Sequence, residues 1–229
     1  MGIRSGPNIV TDGLVFAVDA ANPSSYVSGS TIWKDQTVSQ NNGTLTNGPT
    51  FDSVDGGSIV FDGTNDYVNL NTNTLSSVDP ITIIAWINPN SLTATQCVIS
   101  DGTTGGVSIR LEFGRTDNTF SWNQSGVAAT ANANAITTTD NFHQVAIVRS
   151  GNYSDWTISF YVNGNAWGST SGITQTPSST PSNCSIGSRG DGSGLYFNGK
   201  ISNVKIYNRA LSSTEVSQNY NALKPRFGL

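Results

Sequence analysis

Few residues of this chain are equipped for chemistry, and the most promising are aromatic rings next to amides. An exposed indole can stack on the apolar face of a sugar ring while neighbouring amides exchange hydrogen bonds with its hydroxyls. Trp122, followed by Asn123, and Trp167, beside Asn163 and Asn165, stand near turn-forming sequence and are the candidate ligand-binding residues. Trp86 lies in a run that is apolar on both faces and reads as core. Acid–base chemistry has little to draw on. The only glutamates are Glu112 and Glu215, and the only histidine is His143. Glu112 shares a strand face with Arg110 and reads as that arginine's exposed partner. His143 lacks the further imidazoles or cysteine pair of a zinc site and reads as a strand residue. No catalytic residue is expected, and the chain reads as a non-enzyme. Cys97 and Cys184 stand in short apolar contexts and read as buried free thiols; the alternative is one long-range disulfide formed in an oxidising medium.

Positioning such residues falls to β-strands. Hydrophobic residues make up 36% and charged residues 11% of the 229 positions, with Gly, Ser, Thr and Asn filling most of the rest. That composition favours strands joined by tight turns over helices. Ile158, Phe160 and Val162 alternate with Thr157, Ser159 and Tyr161, and Val107, Ile109, Leu111 and Phe113 alternate with Ser108, Arg110 and Glu112. Each pattern gives one buried and one wet face, as in two packed antiparallel sheets. Residues 81–87 are apolar on both faces, which suits a strand covered on its outer side by a long loop. The polar stretch 169–182 reads as a long surface connection inside one domain. One helix is expected, and late. Ser212, Ser213, Thr214 and Glu215 form a capping box, with Leu211 and Val216 placed as a hydrophobic staple. Just before it, Val204 and Ile206 share one strand face, and Lys205 and Tyr207 the other. Arg189-Gly190-Asp191 reads as a hairpin turn.

The order of segments carries a resemblance. Residues 57–68 (GSIVFDGTNDYV), 81–89 (ITIIAWINP), 142–149 (FHQVAIVR), 158–164 (ISFYVNG), 184–187 (CSIG) and 197–216 follow one another as in the laminin-G-like, concanavalin A-type lectin and glucanase family. The resemblance spans roughly residues 10–222. It implies an all-β, two-sheet antiparallel jelly-roll sandwich with one short C-terminal helix, an N-terminal arm over 1–11, the domain over 12–222 and a C-terminal tail over 223–229. The opening residues 13–26 and closing residues 219–229 resemble the variant carried by structural proteins of tailed phages. Related glucanases carry Glu-x-Asp-x-x-Glu on one strand, which this chain lacks. Many relatives bind Ca²⁺, which takes six to eight oxygen ligands. Asp62 and Asp66 are the candidate metal ligands, although Ser202 stands where relatives often hold an Asp after Gly-Lys-Ile.

The resemblance thus implies a lectin-like structural protein of a phage virion, decorating the particle or adhering through it to glycans. Other virion proteins and further copies of the chain are the expected partners. The stretches Met1–Thr11 and Leu223–Leu229 are candidate anchoring arms. The alternatives are a free carbohydrate-binding protein, calcium-dependent or not, and a glycoside hydrolase. A net charge of −4 and scattered basic residues disfavour nucleic acid and anionic membranes. No run approaches a membrane span, and the first residues lack the apolar core of a signal peptide, so synthesis in a host cytoplasm is expected.

Overall fold

Period-2 patterning along the chain resolves into two antiparallel sheets around one shared interior. The computed structural model describes residues 7–70, 75, 79–102, 109–114, 118–124, 127–152, 154–174 and 183–229. In chain order the strands are β1 (Leu14–Asp19), β2 (Ile32–Trp33), β3 (Gly43–Thr46), β4 (Thr50–Asp52), β5 (Ser58–Asp62), β6 (Tyr67–Asn69), β7 (Ile81–Pro89) and β8 (Gln96–Asp101). They continue as β9 (Ile109–Phe113), β10 (Phe120–Gln124), β11 (Val127–Thr130), β12 (His143–Asn152), β13 (Asp155–Val162), β14 (Asn165–Ile173), β15 (Cys184–Ile186) and β16 (Asn198–Tyr207). Sheet A runs β14-β13-β12-β7-β16-β5-β4, with β1 also on β16; sheet B runs β11-β10-β9-β8-β15-β6-β3-β2. The jumps between sheets are those of a jelly roll.

The inner faces interdigitate. Trp156, Ile158 and Phe160 of β13 meet Leu111, Phe113, Phe120 and Trp122 of sheet B in one core cluster. The rings of Phe120 and Phe160 join the sheets edge to face, 5.3 Å between centroids. Val204 and Ile206 point into this core, and Tyr207 points the other way, as their alternation requires. Five strands exceed what the sequence led us to expect: β2, β3, β4, β11 and β14. They are short or rich in Thr, Gly and Ala, so their apolar alternation is faint. β14 includes Ser169–Ile173, which the sequence placed in a surface connection; residues 175–182 of that stretch lie outside the described residues, as do residues 107 and 108 of an expected strand.

The outer face of sheet A is covered by a helix and not by the long loop expected. Helix α1 (Ser213–Leu223) starts at the capping box: Ser212 Oγ accepts from the Glu215 N–H at 3.3 Å, and the Ser212 N–H donates to the Glu215 carboxylate at 2.8 Å. Arg209 forks onto the same carboxylate, and this pairing first, then the cap, holds Glu215 at about 2. Leu211 and Val216 close over Ile84, Ala146, Val148 and Tyr207 in a second cluster. Trp86 stacks on Tyr220 and on Phe227, with centroids 5.6 and 4.2 Å apart.

Near both described ends the chain packs on sheet A. The Val10 N–H donates to Asn219 Oδ1 at 2.9 Å, and the Tyr207 hydroxyl donates to the Val10 carbonyl at 3.0 Å. Residues Lys224–Phe227 form a 3-10 turn against sheet A. The apolar Phe227 and Val10 have better partners on the sheet than in water. Residues 1–6 lie outside the described residues.

Candidate functional site

A cleft opens where the edge strands of the two sheets approach, between the loop leading into β2 and the turn from β3 to β4. Tyr26, Ser28, Gly29, Ser30, Thr31, Leu45, Gly48, Pro49, Thr50 and Phe51 line a volume of about 390 Å³. Local hydrogen bonds build it. The Tyr26 hydroxyl donates to the Ser30 carbonyl at 2.9 Å, and the Ser30 N–H donates to the Val27 carbonyl at 2.9 Å, folding residues 26–30 into a tight turn. The Leu45 N–H donates to the Thr31 carbonyl at 2.8 Å and ties this turn to β3. On the far side Asn47 and Gly48 take positive φ (68° and 116°), which reverses the chain into Pro49 and β4. Phe51 then packs on the buried Tyr26, ring centroids 5.3 Å apart. Burial pushes the Tyr26 phenol up from its ordinary value. The result is carbon from two aromatic rings, a leucine and a proline, bordered by the hydroxyls of Ser28, Ser30, Thr31 and Thr50. No lining residue carries a carboxylate, an ammonium or a guanidinium. Such a surface offers dispersion and neutral hydrogen bonds to a small polar ligand.

The residues chosen from sequence lie elsewhere. Trp122 is 1% exposed, in the core cluster beneath Arg149, so no sugar can stack on it. The signal was present: Phe120 and Trp122 alternate with Ser121 and Asn123, so the indole belongs to the buried face. Asn123 is buried on the opposite face, and its Oδ1 accepts from Arg110 at 2.8 Å. Asn163 Oδ1 accepts from the Gln144 N–H at 2.9 Å, and Asn165 donates to the Asn163 carbonyl at 3.1 Å, so both serve the β13–β14 turn. Trp167 is half-buried on β14 and its indole N–H points to the Ala133 carbonyl, 3.4 Å away. Sequence reasoning passed over Tyr26 and Phe51, although each stands among hydroxyl residues next to a glycine-bearing turn.

Sheet B carries a polar row on its outer face. Register places Asn123 beside Arg110, Arg110 beside Ser100, Ser100 beside Ser185, Ser185 beside Asn69 and Asn69 beside Thr44. Glu112 pairs with Arg110 at 2.8 Å as expected, but it is buried and not exposed. Burial first, then the nearby Glu112 charge, pushes the Cys97 thiol up, which keeps it protonated and unreactive. Cys97 and Cys184 are both buried and neither is in a disulfide; Cys184 belongs to the core cluster and Cys97 does not. His143 sits at the start of β12 with Nε2 3.1 Å from Thr138 Oγ1, and burial lowers its basicity.

The residues proposed for Ca²⁺ do not suit it. Asp62 Oδ1 accepts from the Thr64 and Asn65 N–H groups, and Asp66 Oδ2 accepts from the Asp62 N–H at 3.1 Å. One oxygen of each is committed to their own turn, as Asx side chains in loops often are. These bonds, led by that of Thr64, lower Asp62, while burial raises Asp66. At the other position in question, Ser202 accepts a hydrogen bond from the Arg226 guanidinium, and Asn203 Oδ1 accepts from Lys205 at 2.8 Å. Two cationic side chains already stand where a metal ion would have to sit. Among the described residues no group of three or more His, Cys, Asp or Glu side chains converges.

Comparison with known proteins agrees with this architecture. The family described as the concanavalin A-like lectin/glucanases superfamily matches residues 62–217, and the chain belongs to it. Solved structures share the fold at low identity. Domain 4 of AbnA, an extracellular arabinanase from Geobacillus stearothermophilus solved with arabinotriose, is 16% identical with a TM-score of 0.68, over 91% of this chain and 98% of that domain. The Trypanosoma rangeli sialidase solved with the inhibitor DANA is 17% identical with a TM-score of 0.64, over 93% of this chain. This chain covers 33% of that sialidase, about a third of its length. The CBM40 domain of the Ruminococcus gnavus IT-sialidase, bound to α2,3-sialyllactose, is 16% identical with a TM-score of 0.56, over 70% of this chain and 94% of that one. A search of curated protein sequences finds no match. No described helix is long and apolar enough to cross a membrane.

Proposed function

We propose that the protein is a non-catalytic, lectin-like carbohydrate-binding domain whose ligand is a neutral saccharide held in the Tyr26–Phe51 cleft. The observation that carries this reading is the composition of the cleft: the half-buried Phe51 ring, backed by Tyr26, with Leu45 and Pro49 inside a rim of neutral hydroxyls. Sugars present the complementary pattern, C–H faces edged by hydroxyls. A sialic acid would bring a carboxylate, which calls for an arginine or converging amides, and the lining holds no charged side chain. Glycoside hydrolysis uses two carboxylates about 5–10 Å apart. Glu112 is paired with Arg110, Glu215 is used in the helix cap, and neither lines the cleft. We further place the domain on the surface of a phage particle, beside other virion proteins and copies of itself. The support for this is the resemblance of residues 13–26 and 219–229 to tailed-phage structural proteins.

A glycan array spanning neutral and sialylated structures tests the ligand class, followed by calorimetry on the best binder. Phe51→Ala should weaken binding at least about tenfold while circular dichroism stays unchanged. Equal binding by the variant, or binding restricted to sialylated glycans, would sink the cleft assignment. Mass spectrometry of purified particles tests the location, and absence of the chain there refutes it.

A further inference from the structure

We infer that Arg226 is the built-in cation of this fold: its guanidinium fills an oxygen cradle suited to a divalent metal, so the domain is fastened without calcium. Four oxygens from three separate segments converge on one side chain. The Asp19 carboxylate at the end of β1 accepts from Nη1 at 2.7 Å. The Asp55 carbonyl accepts from Nε at 2.7 Å, and the Gly57 carbonyl accepts from Nη2 at 2.8 Å. The Ser202 hydroxyl takes the remaining Nη2 hydrogen and itself donates to the Gly57 carbonyl at 2.9 Å. One carboxylate, two carbonyls and one hydroxyl supply four of the six to eight hard oxygens that Ca²⁺ takes, with water left to complete the shell. Here a planar fork takes all four, and it supplies the charge that balances Asp19.

What the cradle holds together gives the arrangement its purpose. Asp55 and Gly57 belong to the link between β4 and β5, Ser202 interrupts the register of β16, and Asp19 closes β1. Gly57 has a φ of 139°, and a Cβ there would lie 2.9 Å from the Phe51 ring and 2.7 Å from the Ala20 carbonyl. Arg226 thus clamps the strand link against which one wall of the cleft packs. The adjacent Phe227 ring, stacked on Trp86 at 4.2 Å, keeps the guanidinium aimed. Its link to ligand binding rests on the cleft reading above, but the clamp and the exclusion of metal do not.

Thermal melts of the full chain with 5 mM CaCl₂ and with EDTA test the inference without any glycan. The wild type should melt at the same temperature in both. Arg226→Ala should melt roughly 5–10 °C lower in EDTA, and calcium should recover part of that loss and bind measurably by calorimetry. A calcium-dependent shift in the wild type overturns the inference. So does an Arg226→Ala variant that loses nothing, or one that folds but ignores calcium. If that variant does not fold, Arg226→Lys takes its place. It should melt below the wild type and show no calcium response, and either a metal response or a wild-type melt refutes the clamp.

Discussion

The two sheets share one core but treat their outer faces in opposite ways. Sheet A buries its outer face a second time, under α1, Val10 and the turn carrying Phe227, and its outward residues are Ile84, Trp86, Ala146 and Val148. Sheet B presents a polar row, Asn123, Arg110, Ser100, Ser185, Asn69 and Thr44, and satisfies it with side-chain pairs such as Arg110–Glu112. The difference explains why β7 is apolar on both faces while β9 alternates. A strand with apolar neighbours on both faces reads as a continuous hydrophobic run, and a strand whose outer face is buried among paired polar groups still reads with period 2. Outer-face chemistry, more than inner, therefore tells the sheets apart.

Four variants probe that contrast. Trp86→Ala removes the ring on which α1 and the following turn rest, and the loss should be about 3–5 kcal/mol by urea denaturation. A loss under about 1 kcal/mol would mean that the helix is an ornament on sheet A and not part of its core. On sheet B, Arg110→Ala strips a buried carboxylate of a partner and should cost about 2 kcal/mol. The double change Arg110→Leu with Glu112→Leu should recover most of that, since an apolar pair needs no partner. If the double variant is no better than the single one, the outer face of sheet B depends on charge itself and not on mutual satisfaction. The smallest effect is one of pH on sheet A. Lys205 is buried, which pushes it down to about 8, against the pull of Asp19 and with the push of Arg226. Above about 8 the folded chain sheds this proton while the unfolded chain keeps it up to its ordinary 10.5. By linkage this group adds stability as pH rises across that window. The difference in denaturation midpoint between wild type and Lys205→Met should therefore change steadily from pH 8 to 10. A constant difference would show that Lys205 is not desolvated in the fold.

The architecture was legible where pattern and local chemistry agree. The capping box at Ser212, the alternation of Val204 and Ile206, and the order of the motif segments led directly to the last strand, the single helix and the family. The same local reading misjudged Trp122, because its neighbours Asn123 and Gln124 look like a turn while its partner Phe120 lies two residues back on the same buried face. It missed β2, β3 and β4 because strands of two to four residues rich in Thr and Gly show almost no periodicity. The cleft lies among those strands, so its aromatic residues were hidden with them. Arg226 was out of reach for another reason. Its partners are more than 20 residues away in sequence, and no local rule links an arginine in the final turn to a carbonyl at Gly57.

The meeting of Val10 with Asn219, and of Asn8 with Gln218, whose amide donates to the Asn8 carbonyl at 2.8 Å, also bears on engineering. Residues 8–10, near one end of the sequence, thus pack side by side with residues 218 and 219 in the middle of α1. A fusion to a carrier protein that keeps residues 8–10 together with α1 therefore preserves this seam. A new chain opening is best tolerated beside the fully exposed Val38. The cleft then becomes a portable part of the fusion.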